Sequence, residues 1–206
     1  MRQLTLIRHG VTDWNESGRF QGHSDTALSA KGEAQARALA AHFGASRAGV
    51  DLVYSSPLAR AAQTARLVFP ERDIIYDERL KELNFGVFEG KTQAENETHE
   101  AWAEWYQNPF ERRAPGGESY QGLMERAAAW LAALPREANS VAFLHSGTIR
   151  MLISHVLGLH RPTWRKRIYL GHTSRSVILF KDGEAIIERV NDTCHLSGAS
   201  LDPFED

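Results

Sequence analysis

The sequence predicts an α/β fold: a mostly parallel sheet, helices on both of its faces, and one antiparallel strand. Three observations predict it. Short apolar runs, Leu4–Ile7, Val50–Tyr54 and Val141–Leu144, each end abruptly in polar or glycine-containing chain, as buried strands feeding loops do. Stretches with apolar residues at helical spacing separate these runs, and strands alternating with helices imply a parallel sheet covered on both sides. Val177–Phe180, Asp182-Gly183 and Ala185–Val190 read as a hairpin, because Asp-Gly is a strong two-residue turn signal, so at least one strand runs antiparallel.

Taken in order, Leu4–Ile7 opens the chain as a strand and ends in Arg8-His9-Gly10. Val11–Leu28 is a long polar loop, and long loops in compact domains are often functional. Ser29 caps a helix whose Gly32, Ala36, Leu39, Ala40 and Phe43 share a face, with Gly44 as its stop. After Val50–Tyr54, the spacing predicts a helix with Ser56 as N-cap, Pro57 at its first position and an end near Phe69. Arg60 then lies in the first turn, where a cation opposes the helix dipole unless an anion docks beside it. Ile74–Tyr76 is a short edge strand. Thr92–Gln107 is expected as one helix stopped by Asn108-Pro109. Ser119 starts a helix that buries Tyr120, Leu123, Met124, Ala127, Leu131 and Leu134. Val141–Leu144 repeats the opening pattern, ending in His145-Ser146-Gly147 before a helix over Thr148–Leu157. In open α/β sheets ligands sit beyond the carboxyl ends of the strands, the edge that carries both strand-tip histidines.

Composition narrows the function classes. The 206 residues suit one α/β domain, and a hydrophobic content of 42% with 24% charged residues is ordinary globular chemistry. A net charge of -2 gives no global field for nucleic acid or a membrane surface, so any anion selectivity must be local. The single cysteine, Cys194, forms no internal disulfide, the first apolar run is too short for a signal peptide, and no stretch has the length of a membrane span. The expectation is a cytoplasmic protein that acts on a small molecule.

A cation, an imidazole and a glycine at a strand tip suit phosphoryl transfer. Breaking a phosphomonoester needs a nucleophile, cations for the non-bridging oxygens and a proton for the leaving alkoxide. His9 would attack, with its other ring nitrogen fixed by an acceptor such as a backbone carbonyl. Arg8 and Arg60 would grip phosphoryl oxygens through planar, charge-assisted bonds. His145 would add a donor, and Glu82, set between apolar residues, would protonate the leaving oxygen and later accept a proton from water. Each residue alone has a plainer account, as a structural histidine, a solvated arginine or half of a local ion pair. A metal is not expected: no H-x-H or H-E-x-x-H spacing occurs, and Arg8 beside His9 would oppose a bound cation. A phosphate-cradling P-loop is absent as well.

Together these stretches resemble the histidine phosphatase superfamily, the phosphoglycerate mutase-like proteins. The resemblance rests on Arg8-His9-Gly10 with Thr12 and Trp14-Asn15, on Gly18-Arg19-Phe20-Gln21-Gly22, and on Leu28-Ser29 with Gly32 and Gln35-Ala36. It continues through Ser55-Ser56-Pro57-Leu58 with Arg60-Ala61 and Gln63-Thr64, Leu80 with Glu82 to Gly86, Glu89-Gly90, Pro115 to Ser119, and His145-Ser146-Gly147. It implies a three-layer αβα sandwich and no metal or other cofactor. It also implies His9 as the phosphorylated residue, Arg8, Arg60 and His145 as the phosphate pocket, and Glu82 as the proton donor. Asn15, Thr12, Gln21, Gly22 and Ser146 are the remaining candidate substrate contacts. Ser146 departs from the family's usual glycine after the second histidine; its N–H stays available, while its side chain adds bulk.

By the same resemblance the chain is closer to the compact phosphatases than to the mutases, which are generally longer between the acid and the second histidine. The branches in view are the broad-specificity, α-ribazole-phosphate and fructose-2,6-bisphosphatase-like enzymes, acting on a small phosphorylated metabolite. Phosphoglycerate mutase-type transfer and a non-catalytic phospho-ligand binding module are the alternatives. The whole chain, 1–206, is expected as one domain, with a cap at about 92–118 that sets substrate choice. Within it Trp102, Trp105 and Tyr106 could stack on a substrate or fill core, and Arg112 and Arg113 could bind a second anion or lie in solvent. His172 is a further candidate near the site. His23, His42, His99, His155, His160 and His195 take structural readings.

Overall fold

A computed structural model describes residues 1–159 and 167–197 of the chain. Its centre is a six-stranded sheet in the order β3-β2-β4-β1-β5-β6. These strands are β1 (Arg2–Arg8), β2 (Leu52–Ser55), β3 (Ile74–Tyr76), β4 (Ser140–Leu144), β5 (Arg175–Lys181) and β6 (Glu184–Asp192). The first four run parallel, and β5 is antiparallel to both of its neighbours, β1 and β6. The register aligns Arg8 with Leu144 and Ser55 with Phe143, so three polar strand tips open on one edge.

The helices are α1 (Asp13–Glu16), α2 (Ala30–Phe43), α3 (Ala59–Val68), α4 (Gln93–Glu97), α5 (Trp102–Gln107), α6 (Tyr120–Ala132) and α7 (Ser146–Val156). On one face of the sheet Leu39 and Phe43 of α2 and Ala65 and Val68 of α3 pack against Ile7, Val53 and Phe143. On the other, Trp130 and Leu131 of α6 and Ile149 and Leu152 of α7 pack against Leu4, Leu6 and Leu144. The layers are therefore helix, sheet, helix. A further apolar cluster joins Leu83, Phe88, Trp102, Trp105, Phe110, Leu123 and Met151 beside the sheet. Among the described residues no helix is long and apolar enough to cross a membrane.

Four elements differ from the sequence reading. The long loop contains α1, because Thr12 and Asn15 form a capping box. α3 begins at Ala59 with Leu58 as its N-cap, not at Pro57 after Ser56. The Ser56 hydroxyl contacts His145 Nε2 at 2.9 Å, and the Ala59 N–H is taken by Asp25 Oδ1 at 2.6 Å. The stretch expected as one helix over 92–107 is broken into α4 and α5. The Thr98 hydroxyl donates to the Glu95 carbonyl and His99 Nδ1 accepts the Ala101 N–H, so side chains compete with the helix for its backbone groups. α7 starts two residues earlier than expected, with His145 at its N-cap.

Candidate active site

The first element of the site is the tip of β1. The His9 N–H donates to the Leu144 carbonyl at 3.0 Å, which continues the ladder with β4 by one residue and buries the imidazole. His9 Nδ1 lies 2.7 Å from the Gly10 carbonyl. A carbonyl only accepts, so Nδ1 carries the hydrogen and Nε2 keeps its lone pair. Burial, then the Arg60 and Arg8 cations, hold the imidazole well below its ordinary titration range, so it is neutral in this setting. This is the state a nitrogen nucleophile needs.

Two buried arginines flank it. Arg8 Nη1 donates to the Leu170 carbonyl at 2.5 Å. Arg60, in the first turn of α3, donates from Nη2 to the Gly22 carbonyl at 2.7 Å and from Nη1 to the Ser24 carbonyl at 3.0 Å. Its Nε has no hydrogen-bond partner among the described residues. Burial lowers Arg60 to about 10, an effect that Glu82, Asp25 and Glu89 oppose, so it remains a cation at neutral pH.

Glu82 closes the far side. Its Oε1 accepts the Leu83 N–H at 2.9 Å and its Oε2 the Gly147 N–H at 2.9 Å, at the start of α7. The approach is close enough that a Cβ on Gly147 would stand 2.2 Å from Oε1, so only glycine leaves the carboxyl where it is. The His145 ring centroid is 5.1 Å from that of His9, and burial followed by Arg60 lowers its pKa well below the usual value. His145 Nδ1 has no partner among the described residues.

These groups meet at a cavity of about 280 Å³. Of the residues singled out in the sequence, Arg8, His9, Asn15, Gln21, Gly22, Arg60, Glu82 and Ser146 line it. His145 and Thr12 do not. His145 is fully buried beside His9, and the Thr12 hydroxyl is occupied by Asn15, whose backbone N–H it caps. Thr12 thus orients Asn15 instead of forming wall. His172 is buried beside His9, ring centroids 5.9 Å apart, and is likewise not part of the wall.

The expected substrate contacts from 92–118 are absent among the described lining residues. Trp102 and Trp105 are buried in their own apolar cluster, and Arg112 and Arg113 border a separate cavity of about 250 Å³, with Arg112 paired to Glu104. The wall is instead completed by Arg19, Phe20, Phe85, Tyr120 and Arg150. Arg150 follows Ser146 by one helical turn, a spacing that could have flagged it; Tyr120 was legible only as a buried helix residue. His160 lies outside the described residues. A larger cavity, about 390 Å³, is walled by Gln3, Phe43 and Arg189 and holds none of the groups above. No group of three or more His, Cys, Asp and Glu among the described residues is placed to hold a metal ion.

Comparison with known proteins identifies the family. The histidine phosphatase superfamily (branch 1) model matches residues 4–193. A protein of Salmonella paratyphi B named as a probable phosphoglycerate mutase, GpmB, is 36% identical over 100% of both chains. A mutant phosphoserine phosphatase of Entamoeba histolytica, solved with phosphoserine, superposes with a TM-score of 0.84 at 30% identity, covering 95% of this chain and 100% of that one. The α-ribazole phosphatase of Shigella flexneri gives a TM-score of 0.84 at 27% identity, over 93% of this chain and 96% of that one.

Proposed function

Since the chain belongs to the histidine phosphatase superfamily, we propose that it is a phosphomonoesterase that forms a phosphohistidine on His9 and needs no metal. The observation that carries this reading is the tautomer of His9: the Gly10 carbonyl holds Nδ1–H, which leaves Nε2 as an uncharged nucleophile between Arg8 and Arg60. The substrate's phosphoryl oxygens dock on the two guanidinium groups, helped by Asn15 and by the Ser146 N–H at the start of α7. His9 Nε2 bonds to phosphorus as the ester P–O bond breaks, and Glu82 gives its proton to the departing oxygen. Water then attacks phosphorus and passes a proton to Glu82, the N–P bond breaks, and inorganic phosphate leaves. His145 Nε2 accepts a hydrogen bond from the Ser56 hydroxyl, so that the ring hydrogen stays on Nδ1 and serves the charge developing on the phosphoryl group.

Hydrolysis is favoured over mutase transfer by the short interval between Glu82 and His145 and by the likeness to two phosphatases. The identity to a probable phosphoglycerate mutase makes transfer the second reading. Phe20, Phe85 and Tyr120 with Arg19 and Arg150 suit a small phosphorylated metabolite bearing further polar groups. The test is hydrolysis of p-nitrophenyl phosphate in EDTA, run beside phosphoserine, 3-phosphoglycerate, α-ribazole phosphate, fructose 2,6-bisphosphate and nucleoside monophosphates. Turnover that disappears in folded His9→Ala is expected; full turnover in that variant would remove the nucleophile. Isomerised 3-phosphoglycerate without phosphate release would select the mutase, and saturable binding without any chemistry would select a binding module.

A further inference from the structure

Glu89 stands outside the cavity wall, and both of its carboxylate oxygens face the loop that carries Gln21 and Gly22. Oε1 accepts the His23 N–H at 2.8 Å and the Phe85 N–H at 3.1 Å. Oε2 accepts the Ser24 N–H at 2.8 Å and the Ser24 hydroxyl at 2.7 Å. The loop turns so closely over this carboxylate that a Cβ on Gly22, at φ 54°, would lie 2.0 Å from Oε1. The other side of the loop faces Arg60, whose Nη2 and Nη1 donate to the Gly22 and Ser24 carbonyls. The Gly22–His23 peptide is therefore gripped at its oxygen by a guanidinium and at its N–H by a carboxylate. Each charge polarises the peptide in the sense that strengthens the other bond.

We propose that Glu89 is a positioning residue for the phosphate clamp: acting through the Gly22–His23 peptide and Ser24, it fixes the plane of the Arg60 guanidinium. A guanidinium has five N–H donors in a rigid fork, so holding two against fixed carbonyls determines where the others point. Arg60 lines the cavity and its Nε is unpartnered among the described residues, so the fixed plane presents N–H groups to phosphoryl oxygens. Glu89 makes no contact with substrate in this arrangement. Its effect on phosphate binding is exerted through Arg60.

The proposal rests on the reading that Arg60 binds the phosphoryl group, and the experiment separates the two. Inorganic phosphate is titrated into the full chain by calorimetry, and its inhibition of p-nitrophenyl phosphate hydrolysis is measured, for wild type, Glu89→Gln, Arg60→Lys and the double variant. Glu89→Gln is expected to weaken phosphate binding roughly tenfold, the scale of one lost charge-assisted bond. In the Arg60→Lys background the same change should cost less than about twofold, because a role exerted through Arg60 is not additive with its loss. A purely structural role would repeat the full tenfold loss there, and that result, or unchanged phosphate affinity in Glu89→Gln, overturns the proposal. Native affinity in Arg60→Lys would instead overturn the reading of Arg60. Should Glu89→Gln fail to fold, Glu89→Asp carries the same cycle: it keeps the charge on a shorter arm, so a partial loss is expected, again absent beside Arg60→Lys.

Discussion

Acidification is predicted to weaken this fold through the two imidazoles at its strand tips. Burial is the largest cause that holds both His9 and His145 well below 6.5, with Arg60 next for each. The unfolded chain takes up their protons near the ordinary value of about 6.5, whereas the folded chain does not. Because the unfolded state binds more protons, the stability these groups contribute is complete above that value and declines as pH falls. Between pH 6.5 and 5.5 each neutral, buried histidine costs about 1 kcal/mol, so the pair costs about 2 kcal/mol. His195, lowered to about 4 mainly by partial burial, adds in the same direction. Asp77 is held below the usual carboxylate range, chiefly by its hydrogen bond to Arg79, and its contribution is lost only at lower pH. Urea unfolding at pH 7.5, 6.5 and 5.5, for wild type and for His9→Gln/His145→Gln, isolates the pair. The wild type should lose about 2 kcal/mol more than the double variant over that unit of pH. Parallel stability profiles for the two proteins would show that the imidazoles are not held neutral, and would refute the reasoning from burial and adjacent cations.

The same neutrality sets the acid limb of kcat/KM: it should fall well below the ordinary histidine range, and a midpoint at 6.5 or above would contradict it. Gly147→Ala places a methyl against Glu82, so kcat should drop about a hundredfold, the scale of a displaced catalytic group, while the thermal midpoint of unfolding moves little. Trp105→Ala empties a site buried to 2% exposure; a loss of about 3–5 kcal/mol by denaturant titration is expected. Arg112→Ala, paired with Glu104 away from the cavity, should leave the kinetics of every substrate in the panel within about twofold, since surface ion pairs contribute little.

The sheet and its polar edge were legible because strand runs, caps and the Asp-Gly turn are local signals. Ser29 and Ser119 do accept the Gly32 and Gly122 N–H groups that their positions suggested. That Arg8 and His9 belong to one polar site was legible because arginine and histidine at a strand tip contradict the apolar pattern leading to them. What failed depended on side-chain partners that residue type alone does not choose. The Ser56 hydroxyl contacts His145 and accepts the Leu58 N–H ahead of α3, and Thr12 holds Asn15 and forms no wall of the cavity. The aromatic residues of 102–106 could be placed on helix faces but not assigned a destination. They pack with Leu83, Phe88 and one another, and the cavity wall passes to Phe85 and Tyr120 on either side.

β1 has only β4 and β5 for neighbours, and both lie in the C-terminal part of the chain. The strand that leads to His9 is synthesised before both of these partners, so its backbone finds neither until Ser140 and the residues after it follow. Its apolar Leu4–Ile7 run must wait for them, and such unpaired strands are the hazard of non-local topologies. A nascent chain halted before β4 would hold His9, the proposed nucleophile, without the burial that keeps it neutral. Reactivity therefore arrives late and together with the completed sheet.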